Sequence, residues 1–137
     1  MVRPFSGYGA DQDPCYPFPA MVERARQRLD PFEVWGSGRQ VRDFVHVDDI
    51  VGAVLAAYDL GIDGPFNIGN GRATSMLELA QMVTAGAGYD PDITPLHNGL
   101  EGASYHVADT RLLNSFYRPR VSLEDGIARA LDTAAVG

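Results

Sequence analysis

Apolar and polar positions along the chain alternate between two periods, and the switches between them mark the elements. Residues 2–6 read as a short strand, followed by a loop over 7–17 rich in Gly, Pro and Asp. Over 18–30 the apolar residues Phe18, Met21, Val22, Ala25 and Leu29 recur at helical spacing, and Pro31 stops that helix. Phe32–Trp35 predicts a strand, Gly36-Ser37-Gly38 a turn, and 41–47 a second strand. A helix follows, with Asp48 as its N-cap and Ile50, Val51, Val54, Leu55 and Tyr58 on one face, ending near Gly61. Phe66–Ile68 is a short buried strand closed by the tight turn Gly69-Asn70-Gly71. Ser75 and Glu78 form a capping box that opens a helix running to about Gly86. Ile93–Leu96 is a further strand, Asp109 or Thr110 starts a short helix, and Ser122 with Asp125 caps a last helix to about Ala135. This order predicts an α/β fold of short strands and four to five helices, in one domain over 1–137. The stretch 97–104 reads as a surface loop, where ligand contacts tend to lie.

Composition narrows the chemistry. The net charge of −7 argues against a nucleic-acid or membrane-surface role, each of which needs a basic face. All eleven positive charges are arginine. Without lysine there is no Schiff-base chemistry, no Walker-type lysine and no Tyr-x-x-x-Lys pair. One cysteine, Cys15, cannot form an internal disulfide. No apolar run reaches the ~18 residues of a membrane span, residues 1–13 do not read as a signal peptide, and a cytoplasmic location is expected.

The candidate chemistry concentrates in 32–49, FEVWGSGRQVRDFVHVDD. An aromatic ring beside a glycine turn, with an arginine close behind, can grip a nucleotide. The ring borders the base or ribose, and the guanidinium forks onto phosphate oxygens. Trp35 and Arg42 are the candidates, weighed against a Trp that is simply core and an Arg42 paired with Asp43 or Asp48. Asp48 and Asp49 suit helix capping better than a metal. His46, His97 and His106 lack ligand spacing, and His46 as an acid/base and Cys15 as a nucleophile are minor candidates. Tyr8 and Tyr16 flank the expected pocket mouth and can each donate a hydrogen bond.

Several strings together resemble a known family. Arg3-Pro4-Phe5-Ser6-Gly7-Tyr8-Gly9, Trp35-Gly36-Ser37-Gly38, Gln40-Val41-Arg42-Asp43-Phe44-Val45-His46-Val47-Asp48-Asp49, Phe66-Asn67-Ile68-Gly69, Ser75-Met76-Leu77-Glu78-Leu79-Ala80, Ala108-Asp109-Thr110 and the run 119–126 are similar to the extended short-chain dehydrogenase/reductases. These are the NAD-dependent sugar-nucleotide epimerases and dehydratases, and the match is to their C-terminal, substrate-binding half. The acidic loop and Phe-Glu-Val-Trp string are similar to GDP-mannose epimerases.

The resemblance implies roles. Arg42 binds a diphosphate, and the strand Phe32–Trp35, with Phe32 and Trp35, lines a base pocket. Ser6 stands where the family has an asparagine, Glu101 stands near an acidic ribose-binding position, and Asn98 replaces a second phosphate-binding arginine. The chain lacks a complete Gly-x-Gly-x-x-Gly turn and the Tyr-x-x-x-Lys pair. The expectation is therefore that it binds no dinucleotide alone, and that NAD or NADP enters only if a partner supplies the Rossmann half. In a full-length relative the strand 2–6 belongs to the Rossmann sheet. The expected partners are a nucleotide sugar or other small molecule, and a Rossmann-domain chain or a second copy. The alternative is a repurposed homo-oligomer that binds a small molecule or runs a cofactor-independent reaction.

Overall fold

The computed structural model describes residues 1–9, 12–96 and 104–136, the side chains of 133–136 excepted. In chain order its elements are β1 (Val2–Pro4), β2 (Ser6–Tyr8), α1 (Pro17–Arg26), β3 (Phe32–Trp35), β4 (Val41–Arg42), β5 (Phe44–His46), α2 (Val47–Leu60), β6 (Phe66–Ile68), β7 (Thr74–Ser75), α3 (Met76–Gly86), β8 (Ile93–Leu96), β9 (Tyr105–His106), α4 (Arg111–Asn114) and α5 (Leu123–Val136). The fold is the expected α/β mixture of short strands and helices.

The strands form four small sheets. β1 pairs with β6, β2 with β5 and β3 with β8, all parallel. β4 lies between β7, antiparallel, and β9, parallel.

Two predicted strands are each split in the structure. The expected strand 2–6 changes partner at Phe5, whose N–H reaches Ile68 O at 2.9 Å, while the next N–H, of Ser6, reaches Asp43 O at 3.0 Å. The expected strand 41–47 breaks at Asp43, between β4 and β5. Apolar alternation does not reveal either break, because both sides of each remain extended.

β5 separates two apolar clusters. Successive side chains on a strand point to opposite faces. Phe44 joins Phe18, Met21, Phe32, Leu79, Val83 and Ile127, and Val45 joins Ala53, Ala57, Phe66, Ile68 and Leu113. The helix α1 contributes the predicted Phe18, Met21, Val22 and Ala25. It ends four residues earlier than expected, because Arg28 takes a positive φ of 53°. Leu29, placed on the buried face by spacing, is 40% exposed.

The largest correction concerns α2. Its cap is His46, whose Nδ1 accepts from Asp48 N–H at 3.1 Å, and not Asp48. Its buried face is Asp49, Ala53 and Ala57, with Ile50 packed beside them. Val51, Val54, Leu55 and Tyr58, predicted to face the core, are exposed. The small side chains let the helix sit close to Phe66 and Ile68. Gly52 belongs to the same close approach, since any Cβ there would strike the Tyr117 ring.

Two buried carboxylates hold the connections together. Asp43, fully buried, accepts from Asn70 N–H (2.9 Å), Gly71 N–H (2.8 Å) and Ala108 N–H (3.3 Å). The turn 69–71 is thus tight, as expected, and also anchored across the sheet. Asp49 accepts from Tyr117 Oη (2.8 Å), Arg120 N–H (2.9 Å) and Val121 N–H (2.9 Å). The predicted caps at Ser75 and Ser122 are present. Their hydroxyls accept from Glu78 N–H and Asp125 N–H, both at 3.1 Å.

Removing the Asp49 carboxylate strands buried donors, each costing about 1–3 kcal/mol. Asp49→Ala is therefore expected to lower the unfolding free energy by at least about 2 kcal/mol in urea denaturation. A loss under about 0.5 kcal/mol, the scale of an ordinary surface change, contradicts this role.

Burial and the hydrogen bond to Asp49 push the Tyr117 phenol up to about 12. A raised value favours the neutral phenol in the fold. That contribution is complete below the ordinary value near 10 and is lost as pH rises towards 12. Unfolding free energy measured from pH 9 to 12 should fall in wild type and fall less steeply in Tyr117→Phe. Identical slopes overturn the assignment.

Candidate functional site

The turn after β3 shapes one wall of a cavity. Gly36 and Gly38 take φ of 71° and 76°, which glycine adopts without strain. Gly38 also lies directly against Leu77, leaving no room for a side chain. Gln40 closes the turn. Its Nε2 donates to Trp35 O at 3.1 Å, and its backbone carbonyl accepts from Met76 N–H at 3.1 Å. Trp35, at the open end of β3, is thereby tied to the start of β4, which carries Arg42.

The cavity, of about 350 Å³, is lined by residues of α1, β3 and β4 and of the loop before α1. Trp35 and Arg42, the two residues singled out from sequence, both line it. Val34, Arg24, Gln40, Met76 and Cys15 join them. The Trp35 ring is 59% exposed, so it is a wall and not core. Arg42 is half-buried, its Nη1 donating to Val41 O at 2.8 Å. Asp43 is not its partner, because that carboxylate is spent on three backbone N–H groups on the other side of the strand.

Arg24 was not legible as a site residue. Spacing places it outside the apolar face of α1, which is true, but that side of the helix borders the cavity. Its Nη1 donates to Glu33 O at 2.8 Å, and its guanidinium carbon lies 6.0 Å from the Phe32 ring centroid. Burial lowers its pKa, partly offset by the Glu33 charge. Two guanidinium groups and an indole therefore share one concave surface, in a chain whose overall charge is negative. Such a surface can take an anion beside a flat ring.

The other predicted residues fall elsewhere. Phe32 is fully buried beneath the cavity; Val34 and Trp35 carry that strand's part of the lining. Tyr8, expected at the pocket mouth, is 2% exposed in the core, 4.3 Å from Phe18 between ring centroids. Its hydroxyl is buried against Gly126, and burial, with the Asp49 charge, holds its pKa well above the usual range. Ser6 sits on β2, paired with Phe44, outside this lining. Asn98 and Glu101 lie outside the described residues, as does His97. His46 is engaged as a cap, and His106 stacks on Phe5 at 4.4 Å. Among the described residues no His, Cys, Asp and Glu side chains cluster in a way that could hold a metal ion, and no helix is long and apolar enough to cross a membrane.

Cys15 is exposed at the cavity. Its N–H bonds Asp13 Oδ1 at 2.9 Å, and the Asp13 carboxylate pushes the thiol up, away from a reactive thiolate. Asp13→Asn should accelerate alkylation of Cys15 by a thiol reagent at pH 8. An unchanged rate contradicts the coupling.

The family described as "NAD dependent epimerase/dehydratase family" matches residues 1–69. The chain is 34% identical over 115 residues to a putative GDP-L-fucose synthase 2 of Oryza sativa subsp. japonica, covering 80% of this chain and 33% of that protein. It is 31% identical over 112 residues to GDP-mannose 3,5-epimerase of Arabidopsis thaliana, covering 79% and 29%. Among solved structures, MoeE5 in complex with UDP-glucose and NAD superposes with a TM-score of 0.83 at 29% identity, over 98% of this chain and 46% of that one. UDP-glucuronic acid 4-epimerase of Bacillus cereus does so with a TM-score of 0.86 at 26% identity, over 98% and 44%. The chain thus spans about a third of these curated relatives and under half of these solved structures.

Proposed function

Since the chain belongs to the NAD-dependent epimerase/dehydratase family, we propose that it is the nucleotide-sugar-binding half of such an enzyme, with the redox half supplied by another α/β body. The observation that carries this reading is that Trp35 and Arg42, distant in role but seven residues apart, line one cavity together with Arg24. The indole borders the base or ribose. Arg42 pairs with the diphosphate in fork geometry, and Arg24 supplies a second cation from the opposite wall. That second cation would offset the neutral Asn98, the nearest equivalent of a second arginine common in the family. MoeE5 and the Bacillus cereus enzyme were solved with uridine nucleotide sugars, and the curated relatives are named for guanosine nucleotide sugars. Their common chemistry, a nucleoside diphosphate joined to a sugar, is the proposed ligand.

The glycine pairs 7/9, 36/38 and 69/71 are not followed by a third glycine at the dinucleotide spacing, and the proposed role leaves NAD outside this chain's steps. This chain's residues bind and orient the diphosphate and exclude water around it.

The test is titration with GDP-mannose and UDP-glucose, read by fluorescence of Trp35, the single tryptophan. Binding should change the emission. Arg42→Ala should weaken it about 10–100-fold, the range for losing hydrogen bonds to a charged partner. Arg24→Ala should weaken it less. Unchanged affinity in Arg42→Ala, or no response of the wild type to any nucleotide sugar, refutes the reading.

A further inference from the structure

We propose that Gln40 selects the base of the bound nucleotide, its carboxamide oxygen accepting the ring N–H of an oxo base, guanine or uracil. This rests on the function proposed above and names the class of base that the same cavity takes.

The carrying observation is a buried acceptor without a donor. Gln40 lines the cavity and is 6% exposed. Its backbone carbonyl is held by Met76 N–H, and its Nε2 donates to Trp35 O at 3.1 Å. The second bond fixes which way the carboxamide faces. Reversed, it would set Oε1 against the Trp35 oxygen, two acceptors with no proton between them. Oε1 is therefore the end left over, and it is buried with no hydrogen-bond partner among the described residues. Buried polar atoms are almost always paired, so each exception calls for a cause. Tyr8 Oη and Gln12 Oε1 are in the same condition, but neither residue lines the cavity.

The rest of the lining indicates what kind of partner fits. Arg24, Arg42 and Trp35 carry side-chain donors only, and Cys15 is at most a weak acceptor. Gln40 thus supplies the strong side-chain acceptor in a wall of donors. A diphosphate presents acceptors and goes to the guanidinium groups. The donor for Gln40 has to come from the other end of the ligand. Gln40 is bonded to the carbonyl of Trp35, whose indole is the wall assigned to the base. It precedes Arg42 by two residues, a step of about 7 Å in extended chain. That step leaves room for a ribose between a diphosphate on Arg42 and a base at Gln40.

Guanine and uracil carry a ring N–H, at N1 or N3, beside a carbonyl. Adenine and cytosine carry a bare ring nitrogen at the same place, so an acceptor would face the Gln40 acceptor. A site built to pair a donor rejects the analogue that lacks it, because its own buried group is then left unpaired. Oε1 is covered in this structure, so contact takes a small rotation of the carboxamide. Nε2 has two hydrogens and can hold Trp35 O through that rotation.

Isothermal titration calorimetry of the full chain with UDP, CDP, 3-methyl-UDP, GDP and ADP tests the assignment. UDP should bind at least about tenfold more tightly than CDP or 3-methyl-UDP, and GDP than ADP, the scale of stranding a buried acceptor. CDP matches UDP in size, so its loss separates the missing N–H from the bulk of the methyl group. Gln40→Met keeps the length of the side chain and removes the acceptor, and should cut the preference for UDP over CDP to under about threefold. The ratio is the readout, since a turn loosened by loss of the bond to Trp35 weakens both nucleotides alike. If Gln40→Met does not fold, the wild-type series decides alone. Equal binding of oxo and amino bases by the wild type overturns the proposal, and so does a preference that Gln40→Met retains. In either case, weaker UDP-glucose binding by Arg42→Ala leaves the proposed function standing. No binding of any of these nucleotides overturns both.

Discussion

A single buried carboxylate organises the molecule. Asp43 sits where the predicted strand 41–47 breaks, and its two oxygens gather three backbone N–H groups from two distant turns. Those bonds hold the 69–71 turn and the segment at Ala108 against β5. They also fix which way the strand faces. With Asp43 committed to one side, its neighbour Arg42 is turned to the other, into the cavity. The carboxylate that holds the fold and the guanidinium that lines the cavity are thus adjacent in sequence and opposed in space.

Around that point the site is assembled by short connections. The Gln40 carboxamide spans the turn from Trp35 to β4, so the aromatic wall and the guanidinium are positioned by the same five-residue link. α1 closes the opposite side with Arg24, itself tethered to the Glu33 carbonyl. In a chain of negative net charge, this cavity gathers two cations, Arg24 and Arg42, on one surface.

Much of this was legible in the sequence, for reasons that can be stated. Capping boxes are local, so Ser75 with Glu78 and Ser122 with Asp125 marked their helices correctly. Trp35 and Arg42 were legible because glycine turns restrict what can surround them. Apolar spacing gave the buried face of α1 but not that of α2. Periodicity shows that α2 has an apolar stripe; it cannot show which of two apolar faces meets the body of this chain. Alanines at 53 and 57 permit closer packing than the larger side chains, and they won the interior. The same blindness concealed Arg24, polar by position yet turned to a cavity, and it placed Tyr8 at a mouth when its ring is core. Asp43 and Asp49 looked like a partner and a cap. Their true partners are 27 to 72 residues away along the chain, beyond the reach of any local pattern.

The function proposed above is a division of labour, in which this chain would grip a nucleotide sugar and leave the dinucleotide to another body. Native mass spectrometry of the purified 137-residue chain, with GDP-mannose, UDP-glucose and NAD offered in turn, measures that division directly. One nucleotide sugar per chain and no retained NAD is the predicted result. A chain that retains NAD while ignoring both sugar nucleotides would contradict it.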